Sequence, residues 1–173
     1  KIFGVTGTNG KSSVVSYISQ LLDKNKEKCG IIGTLGTGIY PNVRGINLTT
    51  PNIINTCKII NNYCKKGVSN LAMEVSSHGL SQNRVIGLDF NTVIFTNLTK
   101  DHLDYHKNMR NYFNVKLKLF NEHNNKKKVV SIDNYYGNKI FNIYKKDKNI
   151  RTVSLYNKDA TFYASNIIYT ESG

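Results

Sequence analysis

The chain is short of arginine, acidic residues, proline, cysteine and long apolar runs, and each shortage closes off a class of protein. No apolar stretch approaches the ~18 residues that a membrane-spanning helix needs, and no segment has the layout of a secretory signal. No membrane partner is therefore expected. The three cysteines, Cys29, Cys57 and Cys64, are an odd number without ligand-like spacing, which speaks against a disulfide framework and against a zinc knuckle. They read as small core thiols in a reducing compartment, and the expected location is cytoplasmic. Proline stands only at Pro41 and Pro51, and there is neither an internal repeat nor a Gly/Ser/Pro-rich linker. Nothing marks a domain boundary within the 173 residues. Eleven acidic residues face 24 Lys plus Arg, a formal charge of +13. Such a charge invites a nucleic-acid partner. Arginine, however, occurs only at Arg44, Arg84, Arg110 and Arg151, and arginine is the side chain that reads base edges and grips phosphate with two hydrogen bonds. The lysines travel with many Asn, Ile and Tyr, the mark of AT-rich codons, so no nucleic-acid partner is expected. The densest run, Lys126 to Lys128, follows Asn124 and Asn125 and reads as a solvated turn.

What is present is an alternation of apolar runs and helical stretches. Strands are expected at Lys1 to Val5, Cys29 to Leu35, Asn70 to Val75, Thr92 to Thr96, Val129 to Ile132 and Thr152 to Leu155. Helices are expected at Ser12 to Lys24, Pro51 to Lys66, Asn108 to Glu122 and Tyr135 to Tyr144. Residues 39–50 read as a loop, and Thr161 to Tyr169 as the start of a separate antiparallel piece. Near-continuous apolar strands alternating with helices predict an α/β fold: a doubly wound, mostly parallel sheet with helices on both faces. The first residue is Lys1, one position before a strand, and the last is Gly173, just after an extended segment. Residues 1–173 are thus expected to be one domain of a longer protein, incomplete at its C-terminal end.

Three motifs carry chemistry, and each follows an expected strand. The first is Gly4-Val-Thr-Gly7-Thr8-Asn9-Gly10-Lys11-Ser12-Ser13. Glycines let a loop curl so that its N–H groups face a phosphate, with a helix N-terminus behind them. Lys11 would reach the phosphates and the Ser12 hydroxyl would bind Mg²⁺. The strict phosphate-loop pattern wants glycine where Val5 stands; here Gly7 takes its place, three residues before Gly10. The second is Leu71-Ala-Met-Glu74-Val-Ser76-Ser77-His78. Glu74 ends a buried strand, where ligands of open α/β sheets collect, and would bind Mg²⁺ or a metal-bound water. Adjacent Ser77 and His78 do not form a triad, and no nucleophile elbow surrounds them. The third is Phe95-Thr-Asn97-Leu-Thr-Lys-Asp101-His102-Leu-Asp104-Tyr-His106. His102 and His106 have the spacing of a zinc helix, but Leu103 stands where a zinc protease has its glutamate.

The helix after these motifs adds a fourth feature. At ~100° per residue, Tyr112, Phe113, Lys116, Leu119 and Phe120 fall in one apolar arc, with Lys118 opposite. A lysine in such a stripe either snorkels or sits buried with a partner or a lowered pKa. A neutral lysine amine can take up CO₂ and become a carbamate, an anionic metal ligand.

Taken together these motifs resemble the Mur ligase family, and within it the members that add the third amino acid of the peptide. The resemblance rests on Gly4 to Ser13, Gly33 to Gly36, Leu48 to Pro51, Met73 to Val85, and Phe95 to His106 with Lys116 downstream. It implies the central ATPase domain of a three-domain enzyme, with the N-terminal UDP-binding domain and the C-terminal domain outside this chain. It implies an ATP- and Mg²⁺-dependent ligase that phosphorylates the D-Glu carboxylate of UDP-MurNAc-L-Ala-D-Glu and couples it to an amino acid, meso-diaminopimelate in preference to L-Lys, in a monomeric protein. By position, Gly7, Thr8, Asn9, Gly10, Lys11, Ser12 and Ser13 would bind ATP, and Ser12 and Glu74 one Mg²⁺. His102 and a carbamylated Lys116 would serve a second Mg²⁺, and Lys11, Glu74, His102 and Lys116 would form the catalytic set. Thr49, Thr50, Ser76, Gln82 and Arg84 would contact the UDP-linked substrate. Leu48, where Asn is common, and the Ser12–Ser13 pair, where Thr-Thr is common, depart from the pattern. Folylpolyglutamate synthases share the acyl-phosphate logic but not the Glu74 to Arg84 signature. A non-catalytic nucleotide-binding fragment is the alternative of a different class.

Overall fold

The computed structural model describes residues 1–45, 48–121 and 127–168. Its elements are β1 (Ile2–Thr6), α1 (Lys11–Lys24), β2 (Cys29–Gly33), β3 (Gly36–Ile39), β4 (Asn42–Arg44), α2 (Ile53–Lys65), β5 (Asn70–Glu74), α3 (Ser77–Ser81), β6 (Thr92–Phe95), α4 (Leu103–His106), α5 (Met109–Asn121), β7 (Lys127–Ser131), α6 (Tyr135–Tyr144), β8 (Ile150–Ser154) and β9 (Phe162–Tyr163). The strands form one sheet in the order β4-β3-β2-β5-β1-β6-β7-β8-β9. Every pair from β2 to β9 is parallel, and β3 and β4 extend the other edge antiparallel. This is the expected doubly wound α/β sheet.

Strand alternation divides the core in two. Val5, Cys29, Ile31 and Ala72 point to one face, where Val15 of α1 covers them. Ile32, Met73, Val93 and Phe95 point to the other, against Tyr63 of α2, Leu80 of α3, Tyr112 and Phe120 of α5 and Ile140 of α6. Each fully buried large side chain contributes about 1.5–3 kcal/mol, so the second, larger core dominates the stability. The helix starts differ in kind. Asn52, Ser76 and Asn134 cap α2, α3 and α6 through their side chains, whereas α1 begins at Gly10 with φ 82° and no side-chain cap. The first amides of α1 are therefore not taken up by a capping side chain. Among the described residues no helix is long and apolar enough to cross a membrane.

Four expectations are corrected. The segment read as a loop over 39–50 includes the last residue of β3 and all of β4, which form a hairpin with Ile39 opposite Asn42 and Gly38 opposite Val43, and Gly38 also pairs with Ile31 of β2. Gly-Thr-Gly and Asn-Val-Arg carry no apolar alternation, so the pairing of main chains makes these strands without a side-chain signal. Within 161–168, β9 is not a separate antiparallel piece: it runs parallel to β8, with Val153 opposite Phe162. Mutual hydrogen bonds between Thr152 and Thr161 return the chain to the same edge; Tyr169 lies outside the described residues. Lys127 and Lys128 belong to β7, and Lys128 is buried with its Nζ 2.8 Å from Asp147. Asn124 to Lys126 and Glu122 lie outside the described residues. Cys29 is a core thiol as expected, but Cys57 and Cys64 are exposed, because the stripe of α2 that faces the sheet carries Thr56 and Tyr63 instead.

Gly137, in the first turn of α6, has no room for a side chain: a Cβ there would overlap the Ser131 carbonyl oxygen. Alanine is the better helix former by about 1 kcal/mol, yet the collision is with backbone, which cannot yield without moving β7. Gly137→Ala is expected to lower the urea midpoint, by about 1–3 kcal/mol in stability, instead of raising it.

Candidate active site

The sheet order explains why the motifs meet. β1 lies between β5 and β6, with Val5 opposite Glu74 and Thr6 opposite Phe95. All three chemical segments therefore leave neighbouring strands at the same carboxyl edge. The loop after β1 is strapped to the segment after β6. Thr8 N donates to Asn97 O at 2.9 Å, Asn9 N to Asn97 Oδ1 at 2.9 Å, and Thr96 Oγ1 to Asn9 O at 2.6 Å. Gly7 is buried with φ 153°, and a Cβ on it would overlap Thr96 Oγ1. Only glycine lets the two segments come this close. Lys11 Nζ donates to Thr8 O at 2.8 Å and Gly7 O at 3.1 Å. Burial lowers its pKa, opposed by the charges of Glu74 and Asp101. Ser13 is exposed at the start of α1.

Glu74 is 1% exposed at the end of β5. Its Oε1 accepts from Ser12 Oγ at 2.9 Å and Thr34 N at 2.8 Å, and its Oε2 from Thr34 Oγ1 at 3.2 Å. A hydroxyl and a carboxylate so placed are hard oxygen donors, the chemistry Mg²⁺ prefers. Among the described residues no group of three His, Cys, Asp or Glu could hold a metal, so a cation here would draw on this mixed oxygen set.

Of the two readings its helical position allows, Lys116 takes the buried one, with 1% of its surface exposed. Its Nζ donates to Gly7 O at 2.9 Å and stands 4.7 Å from the centre of the Tyr112 ring. Two lysine amines thus share the Gly7 carbonyl. Burial first, then the Lys11 charge, lower the Lys116 pKa to about 7. His102 adopts a left-handed φ of 51° and is held by Asp101, which accepts from its N–H at 2.9 Å and lies 3.4 Å from its ring Nε2. The His102 ring also lies 6.3 Å from Tyr112, so His102 and Lys116 meet the same aromatic ring. Two further imidazoles join them. His78 is 5.1 Å from His102 and 5.7 Å from His106. His106 is buried, stacked on Tyr112 at 4.8 Å, with its Nε2 2.9 Å from Ser77 Oγ. Burial, followed by neighbouring positive groups, lowers the pKa of both His78 and His106.

The five residues expected at the UDP-linked substrate form one network beside Glu74. Thr50 is buried, accepts from Ser76 N at 2.9 Å, and places its hydroxyl 3.0 Å from the Glu74 carbonyl. Ser76 Oγ caps α3 through Gly79 N. Thr49 Oγ1 is 3.0 Å from Thr34 Oγ1. Arg84 donates through Nη1 to Thr50 O at 2.8 Å, and through Nε and Nη2 to Gln82 Oε1 at 2.9 and 2.6 Å. The guanidinium fork of Arg84 is thus folded onto a neutral amide. Thr34, Asn97, Asp101 and Tyr112 also belong to the site, although sequence reasoning does not single them out as functional. Asn97 and Asp101 lie within the third motif and Thr34 within the Gly33 to Gly36 stretch, whereas Tyr112 carries only a core signal. A cavity of about 660 Å³ between the β3–β4 hairpin and α2 shares no residue with this site. A smaller one of about 430 Å³ opens beside Gly10 and Ser13 against Val14, Ile18 and Ile94.

Comparison with known proteins agrees with this geometry. The family described as the Mur ligase middle domain matches residues 5–173. The UDP-N-acetylmuramoyl-L-alanyl-D-glutamate--2,6-diaminopimelate ligase of Pseudomonas putida is 37% identical over 99% of this chain and 36% of its own length. The protein of the same name from Neisseria meningitidis serogroup A is 43% identical over 85% of this chain and 30% of its own. A solved structure of a ligase of that name superposes with a TM-score of 0.91 at 31% identity, covering all of this chain and 36% of that one. The chain thus spans about a third of the length of the curated relatives it matches. A middle-domain match over nearly every residue, on a glycine-rich loop strapped to the segment after β6 and facing a buried carboxylate, means that the chain belongs to the Mur ligase family.

Proposed function

We propose that this chain is the ATP-binding central domain of a cytoplasmic, monomeric ligase that joins meso-diaminopimelate to UDP-MurNAc-L-Ala-D-Glu, with separate domains binding UDP and the incoming amino acid. Diaminopimelate is preferred over L-Lys because the relatives carry it in their names. The observation that carries the reading is the meeting of Lys11, Ser12 and Glu74 at one loop. The residues fit the group they would hold: α1 starts at Gly10 with no capping side chain on its first amides, and Ser12 and Glu74 offer paired oxygens.

Gly7, Thr8, Asn9, Gly10, Lys11, Ser12 and Ser13 would hold ATP, Ser12 and Glu74 one Mg²⁺, and His102 with carbamylated Lys116 a second. Bound MgATP would supply the phosphoryl group that turns the D-Glu carboxylate, which has no leaving group, into an acyl phosphate open to attack by an amine. Lys11 keeps a positive charge at the loop, where phosphoryl oxygens gain charge in the transition state. Thr34 and Ser12 fix the Glu74 carboxylate in one orientation. Arg84, Gln82, Thr49, Thr50 and Ser76 form a polar rim next to Glu74 that would position the UDP-linked substrate. At a pKa of about 7, Lys116 offers neutral amine at physiological pH. That amine adds to CO₂, forming an N–C bond and releasing one proton, and the product is an anion that would balance Lys11.

Lys11→Ala in the full-length protein is expected to weaken ATP binding on the order of 100-fold or more with an unchanged circular dichroism spectrum; calorimetric titration checks it. Lys116→Ala is expected to be nearly inactive and partly restored by acetate, while Lys118→Ala stays close to wild type. At fixed dissolved CO₂ the carbamylated fraction of Lys116, read by mass spectrometry or ¹³C NMR, should rise as pH increases through about 7, because the neutral amine is the reactant. A fully active Lys116→Ala enzyme rules out the carbamate.

A further inference from the structure

Tyr112 has 1% of its surface exposed on the inner face of α5. Filling space there needs no hydroxyl: Phe113 and Phe120 on the same face do without one. The Tyr112 hydroxyl lies 3.3 Å from Thr8 Oγ1, inside the phosphate loop. Burial raises the pKa of the phenol, which keeps it a proton donor at neutral pH. Thr8 Oγ1 accepts from Thr99 N at 3.1 Å and has Thr99 O at 3.4 Å to receive its own proton. Its second lone pair is left for the tyrosine. The ring plays a separate part, since it lies 4.7 Å from Lys116 Nζ and packs against that side chain, a contact that needs no charge on the amine. The stacked His106, pinned by Ser77, braces that ring. One side chain of α5 therefore touches the phosphate loop through its oxygen and Lys116 through its ring.

We propose that Tyr112 is a positioning residue for the nucleotide: its hydroxyl fixes Thr8 and its ring fixes Lys116, so that α5 and the phosphate loop keep one relative placement. The proposal rests on the ATP-binding reading above. The two parts separate chemically. Phenylalanine keeps the ring and loses the hydroxyl; leucine loses both. Thr8 N remains tied to Asn97 O in either variant, so the loop backbone stays and only the threonine side chain is released.

The test measures ATP affinity by calorimetry and steady-state kinetics on the full-length protein for wild type, Tyr112→Phe, Tyr112→Leu, Thr8→Val and the double variant Tyr112→Phe with Thr8→Val. Tyr112→Phe is expected to raise the ATP Kd and KM about fivefold, the scale of one net hydrogen bond, with kcat within about twofold of wild type. Tyr112→Leu is expected to lower kcat as well. The double variant is expected to be no worse than Thr8→Val alone, since both single variants break the Tyr112–Thr8 bond and only Thr8→Val also loses the bonds to Thr99. Wild-type ATP affinity in Tyr112→Phe, or equal losses that simply multiply in the double variant, overturns the proposal, as does a lowered melting temperature with unchanged Kd. If Tyr112→Phe does not fold, Thr8→Val with wild-type Kd overturns it equally. A wild-type protein that binds no ATP overturns the functional reading and this proposal with it, whereas wild-type binding with an unaffected Tyr112→Phe overturns this proposal alone.

Discussion

A carboxylate buried at the edge of the sheet constrains everything around it. An isolated buried charge costs several kcal/mol, and among the described residues Glu74 has no ion-pair partner. Its compensation comes from three hydrogen bonds, from Ser12 Oγ, Thr34 N and Thr34 Oγ1. Hydrogen bonds to charged groups are worth about 1.5–3 kcal/mol each, so three reach the size of the penalty only if all are made. That requirement fixes the first turn of α1, the turn after β2 and the end of β5 relative to one another. It also explains Gly33, where any Cβ would run into the carboxylate. The Glu74 carbonyl, facing the Thr50 hydroxyl, ties the Leu48 to Pro51 segment to the same point.

Opposite this anion stands a surplus of positive charge. Lys11 and Lys116 both donate to the Gly7 carbonyl, and their mutual repulsion adds to burial in lowering the Lys116 pKa. Two amines on one carbonyl oxygen are an arrangement that an anion, or the loss of one proton, relieves. A phosphate at the loop would supply the first remedy and the proposed carbamate on Lys116 the second. The imidazoles of His78, His102 and His106 extend the same edge, with His78 and His106 held toward their neutral forms.

Much of this is legible in the sequence where side-chain chemistry leaves a periodic or spaced mark. The glycine-rich loop, the strand-end Glu74 and the place of Lys116 on the apolar face of α5 follow from glycine spacing, an apolar run and a helical angle. The placement of β5 between β2 and β1 does not, because strand order is set by crossovers whose direction no local pattern encodes. The β3–β4 hairpin is hidden for a related reason: glycines and polar residues pair through the main chain alone. Arg84 is expected from the resemblance to face the UDP-linked substrate, yet its partners here are Gln82, two residues away, and the Thr50 carbonyl. Such a contact depends on the turn after α3 and leaves no trace in composition. Tyr112 reads as core, since a buried tyrosine and a buried phenylalanine look alike until the position of the hydroxyl is known.

Whether Ser12 and Glu74 form a Mg²⁺ site beside the phosphate loop is tested most directly by calorimetric titration of ATP into full-length wild type and Glu74→Gln, each with and without Mg²⁺. Mg²⁺ is predicted to tighten ATP binding to wild type, and the variant to bind Mg²⁺-free ATP normally but to gain little from the metal. Full Mg²⁺ enhancement in Glu74→Gln would contradict a metal held by this pair.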